Sequence, residues 1–195
     1  MPKPVVRGVA ALPLLLVATA TLAHTGAEAG GFVSGFGHPV RGLDHVVAMV
    51  AVGLWGAFLG APAIWLLPVV FPLVMALGGA LGVIGVPLPG VETAIALSGV
   101  VLGLLVAFAV RAPIWVAATV VGVFAVFHGH AHGTELPGAA NPFAYGIGFV
   151  VATGLLHLSG IGLGFLAGSR GGRAVVRGVG GLIAAAGAVF LFGLA

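Results

Sequence analysis

Two short polar segments in an otherwise apolar chain carry the side chains that hold transition metals. One is GHPVRGLDH, with His38, Asp44 and His45; the other is FHGHAHGTE, with His128, His130, His132 and Glu135. Ionisable groups are costly in or against a bilayer and persist there chiefly as parts of ion routes, relays or sites. Imidazole nitrogen with carboxylate oxygen suits Ni, Zn, Co, Cu or Fe, whereas Mg prefers all-oxygen coordination and keeps its waters. Cysteine is absent, so thiolate sites and disulfides are excluded, and a metal here has nitrogen and oxygen ligands.

Helical spacing sorts these groups. Residues four apart share a face, so His128 and His132 point together, Glu135 follows if the helix continues, and His130 faces away. Gly129 and Gly133 are expected to loosen the helix there. Asp44 and His45 are adjacent and point differently, one toward a cation and the other toward a neighbouring helix; Asp44 is also a natural N-cap. Pro39 and Gly42 predict a non-helical entry segment that folds His38 back over the pocket. Glu92 opens a further apolar run, where the helix dipole favours a carboxylate and a ligand role is equally open. His157, in VVATGLLHLSGIGLG, lies roughly 20 Å into its run at the helical rise. It either bonds a neighbouring carbonyl or forms a second station or proton acceptor along a route. Met49 and Met75 read as filling rather than as soft ligands.

The elements that must position these groups are membrane helices. The chain has 195 residues, is 61% hydrophobic and 6% charged, and has a mean hydropathy of +1.28, which defines an integral membrane protein. The seven Lys and Arg are scattered between apolar runs, with no stripe that tracks phosphates, so nucleic acid is not an expected partner. Lys3 and Arg7, then the apolar stretch 9–20 and small residues near Ala23, read as a secretory signal over residues 1–23. Cleavage after Ala23 would leave His24 first in a mature domain of residues 24–195.

The expected fold is all-α: a polytopic bundle of six transmembrane helices after the signal, near 43–60, 63–86, 91–110, 113–133, 143–168 and 174–194. Very short connections predict antiparallel packing of consecutive helices. Arg111, Arg170, Arg173 and Arg177 put their two loops inside, and both mature termini outside. Arg41 is the exception, expected to pair with a carboxylate. His38, Asp44, His45, Glu92 and the histidine tract then meet at the outer face, with His157 deeper. Gly99 with Gly103, and Gly160, Gly164 and Gly168, have the spacing of close helix packing. The two halves show no internal repeat, and Trp55, Trp65 and Trp115 fall where interfacial anchors sit. The oligomeric state is open, a homo-oligomer included.

HPVRGLDH, FHGHAHGTE and the stretch GFVVATGLLHLSG together resemble the signatures of the HupE/UreJ family of bacterial nickel permeases, over most of the mature chain. The resemblance implies uptake of Ni(II), with Co(II) as a second cargo, across the inner membrane for hydrogenase or urease maturation. It carries over His38, Asp44, His45, His132 and Glu135; His130 occupies a variable position. No permanently bound cofactor is implied, and the absence of a nucleotide-binding loop excludes direct ATP drive within this chain. Two rivals use the same residues: an intramembrane zinc hydrolase that activates water, and a metal sensor or chaperone that binds without conducting.

Overall fold

The computed structural model describes residues 31–136 and 141–193; the expected signal at 1–23, and His24, lie outside them. All elements among the described residues are helical: α1 (Phe32–Arg41), α2 (Leu43–Leu59), α3 (Ala63–Val83), α4 (Val91–Ala107), α5 (Ile114–Thr134), α6 (Pro142–Gly164) and α7 (Arg170–Leu191). A 3-10 turn, Phe165–Gly168, continues α6. Local chemistry marks the ends. Asn141 accepts from the amides of Phe143 and Ala144, both at 3.1 Å, with Pro142 in the first turn of α6. Ser169 caps α7 by accepting from the Gly172 amide at 3.0 Å.

Helices α2 to α7 fall where the apolar runs predict them. Four are long and apolar enough to cross a membrane: α3, α5, α6 with its 3-10 turn, and α7. The α1–α2 pair meets the same test jointly although the two helices meet at 85°, and α4 is a shorter apolar helix of 17 residues. The chain is thus a multi-pass membrane protein.

Helix α1 departs from expectation, because His38 lies on it rather than in a non-helical segment. Pro39 falls in the last turn, where its missing N–H deprives a single carbonyl, that of Gly35, of a helical partner. Packing on α6 outweighs that loss. Gly35 and Pro39 are buried, and a Cβ on Gly35 would collide with the Tyr145 backbone.

The short connections mislead about which helices pair. The closest pairs are α3 with α5, α4 with α7, α2 with α6, and α1 with α6, whereas the backbones of α3 and α4, and of α5 and α6, scarcely approach each other. Glycine decides this. A Cβ on Gly53 would meet the His157 carbonyl, one on Gly160 the Val50 carbonyl, and one on Gly103 the Gly180 carbonyl and Ala184 amide. In lipid no hydrophobic force drives helix association, so backbone approach at small residues selects the partners. Contacts of α2 with α6, and of α3 with α5, advance in the same direction along both helices, so these pairs are parallel and cannot be consecutive. Gly99, Gly103, Gly160 and Gly164 act as expected, but Gly168 faces open space. Gly129 and Gly133 do not loosen α5: both dock it on the α3 backbone, and the helix runs on to Thr134.

Trp65 and Trp115 are exposed, as anchors should be, but Trp55 is fully buried and its indole N–H donates to the Val110 carbonyl at 3.0 Å. Met49 and Met75 are core filling. Gly53→Ala should cost about 1–3 kcal/mol by overpacking, read as a lower melting temperature in detergent. Gly162→Ala, at a helical glycine with nothing near its Cβ position, should be neutral or stabilising.

Candidate metal centre

Helices α1, α2 and α5 bring polar side chains to one end of the bundle, and α6 supplies an aromatic wall. His38, Arg41, Asp44, His45, His132 and Glu135 line a cavity of about 380 Å³ there. The imidazoles form a chain: ring centroids are 4.7 Å apart for His38 and His132, 4.5 Å for His132 and His45, and 5.0 Å for His45 and His128. His38 Nε2 lies 3.5 Å from Glu135 Oε2. One ligating atom each from His38, His132 and Glu135 falls within 4.8 Å of the others, with Glu135 exposed at the rim.

Hydrogen bonds orient two of the rings. His45 Nδ1 lies 2.8 Å from Asp44 Oδ1, which also accepts from the His45 amide at 2.9 Å. His128 Nδ1 lies 2.9 Å from the Phe124 carbonyl. A carbonyl oxygen only accepts, and an ionised carboxylate likewise, so both Nδ1 atoms carry the proton and each Nε2 keeps its lone pair. Both Nε2 atoms are buried with no hydrogen-bond partner among the described residues, as are both ring nitrogens of His132 and the Tyr145 hydroxyl. Buried polar groups ordinarily find partners. A carboxylate or carbonyl behind an imidazole with its other nitrogen unpaired is the outer support that metal-ligating histidines have. The donor set therefore fits a divalent cation. Asp44 stands behind His45 in the first turn of α2 and is not its N-cap, which is Gly42.

The remaining expected residues are placed differently. His130 faces away, as its spacing predicts, and its Nε2 donates to the Val86 carbonyl at 2.7 Å, tying α5 to the α3–α4 connection. Glu92 sits exposed in the first turn of α4 and does not line the pocket. His157 is buried on α6, away from the cluster; the Phe71 ring lies between, its centroid 5.4 Å from both His128 and His157. Arg41 lines the pocket without an ion pair among the described residues, rather than pairing as expected. Sequence reasoning missed Tyr145 and Phe149, whose rings lie 5.9 Å from His38 and 4.5 Å from His132. Tyr145 carried a signal, since it is the one tyrosine of the chain and sits at a span's start.

These features define a class: a multi-pass helical membrane protein with an imidazole and carboxylate pocket at one end of its bundle. The family model described as HupE / UreJ protein matches residues 12–190, and the chain belongs to that family. It is similar to Protein HupE of Rhizobium leguminosarum bv. viciae, with 53% identity over 171 residues, 88% of this chain and 90% of that protein. No solved structure matches. The family comprises transport and accessory proteins rather than enzymes, so the hydrolase rival falls away.

Nitrogen-15 NMR of histidine-labelled protein, without added metal, should show His45 and His128 protonated at Nδ1 and bare at Nε2. Asp44→Ala should release the preference at His45 and leave that at His128.

Proposed function

We propose that this chain takes up a divalent transition-metal cation, nickel foremost and cobalt second, across the bacterial inner membrane to supply hydrogenase or urease maturation. The observation that carries this reading is the set of buried, unpaired imidazole nitrogens converging from α2 and α5. Membership of the HupE/UreJ family supports it. Six crossings follow if α2 and α4 each span: 17 residues of helix reach about 26 Å, close to a hydrocarbon core of about 30 Å. Arginine placement supports a pocket on the periplasmic side in this reading, with both mature termini there.

In this reading Glu135 and His38 form the mouth and attract the hydrated cation. His132 and His45 replace its waters one by one, which spreads the dehydration cost over several exchanges. Asp44 holds the His45 ring in the ligating tautomer and supplies negative charge behind it. His128 passes the ion inward. Phe71 then separates the outer cluster from His157, and its ring face stabilises a passing cation. His157 is the inner station. Glu92 has no part in this route; its place in the first turn of α4 suits the helix dipole.

Nickel flux into proteoliposomes tests the proposal. The parent protein should load the vesicles, and His132→Ala or Asp44→Ala should lower flux at least roughly tenfold. His157→Ala should reduce flux while leaving equilibrium nickel binding at the outer pocket unchanged. Binding by the parent protein without flux would replace transport by the sensor or chaperone reading.

A further inference from the structure

At the other end of the bundle, four arginines converge on one cavity. Arg111, from the α4–α5 connection, and Arg170, Arg173 and Arg177, from the start of α7, line a space of about 460 Å³. The 21 residues of α5 run from Ile114, close to Arg111, to Thr134, next to Glu135, so this cavity lies about 30 Å from the imidazole pocket. Among the described residues no carboxylate pairs with these charges. Ion pairs among the described residues join His38 to Glu135 and His45 to Asp44, both at the far end.

Two of the guanidiniums are held in position. Arg177 Nε donates to the Ala107 carbonyl at 2.7 Å, and the Arg111 guanidinium carbon lies 5.6 Å from the centre of the Phe58 ring. The connection that presents Arg111 is itself pinned by the buried Trp55 indole through the Val110 carbonyl. Arg170 and Arg173 also stand at the positive end of the α7 dipole, where cations are disfavoured. The tendency of arginine to collect on one side of a membrane explains which end they occupy. It does not explain why a connection and a separate helix bring them to one cavity.

We propose that this cavity binds the phosphate headgroup of an anionic lipid. Guanidinium forks match phosphate oxygens in pairs, and basic pockets between spanning helices take such headgroups. Four guanidiniums suit a headgroup that bears two phosphates. The rest of the wall is apolar, including Phe58, Ala167 and Val176. Phe108 and Phe165, at neighbouring helix ends, are 70% and 66% exposed and offer surface for acyl chains. Free phosphate would use the arginines and leave that apolar surface unused, which favours the lipid. A bound headgroup also cancels positive charge at the end of the bundle opposite the cation pocket.

The test uses the full-length protein in detergent, native mass spectrometry, and added cardiolipin, phosphatidylglycerol, phosphatidylethanolamine or inorganic phosphate. Cardiolipin and phosphatidylglycerol should be retained over phosphatidylethanolamine. Arg170→Gln with Arg173→Gln should weaken that retention roughly tenfold or more, and the Lys pair should restore part of it. Melting curves establish that each variant is folded; should the Gln pair unfold, the Arg173→Gln variant alone should weaken retention in the same direction. Equal retention of anionic and zwitterionic lipids, or retention unchanged in folded Gln variants, would overturn the proposal. Displacement of the lipid by millimolar inorganic phosphate would assign the cavity to free phosphate and overturn the lipid claim.

Discussion

Backbone contact at glycine is the constraint on which the rest of the molecule rests. Lipid chains are as apolar as leucine, so packing the helices together gains little from hiding side chains and much from close approach. Gly129 and Gly133 flank His130 and His132 on α5 and press that helix against the α3 backbone. His128 and His132 are thereby held against His45 of α2. On α2, Gly53 rests against the carbonyl of His157, and Gly160 of α6 rests against that of Val50. The residues that set the helix spacing are interleaved with the histidines, so packing and pocket geometry are one problem with one solution.

The charges are arranged with similar economy. Asp44 and Glu135, two of the few acids, stand at the imidazole end, one behind a ring and one at the rim. The arginines of the α4–α5 connection and of the start of α7 stand at the other end. Between them the described helices carry histidine as their buried ionisable side chain. Neutral imidazole is the ligating group least costly to hold in an apolar interior, since it needs no counter-ion until a cation arrives.

Much of this was legible in the residues, and the failures have identifiable causes. Apolar runs ending at Pro, Gly and Arg located α2 to α7 because a helix in lipid must satisfy its own backbone across the hydrocarbon core, and α3 does so even through Pro68 and Pro72. The four-residue spacing placed His128 and His132 together and turned His130 away, since periodicity is a property of the helix alone. Helix α1 was hidden because Pro39 and Gly42 are local breakers, and what overrides them is contact with Tyr145, more than a hundred positions on. Trp55 was misread because the carbonyl its indole reaches belongs to Val110, another distant residue. Pairing of α2 with α6 was illegible for the same reason. Glycine spacing announces that a helix has a close partner and says nothing of which one.

The parallel pairing of α2 with α6 has a consequence for biosynthesis. A nascent chain emerges from its N-terminus, so α2 enters the bilayer with its glycine groove bare and stays uncovered until α6 has been translated. Until then the Asp44–His45 dyad has neither the aromatic wall nor the docked α1 beside it. Assembly of the pocket is therefore a late event, gated by the order of translation, and a ribosome that stalls in the α5–α6 connection would strand the early helices without their mates.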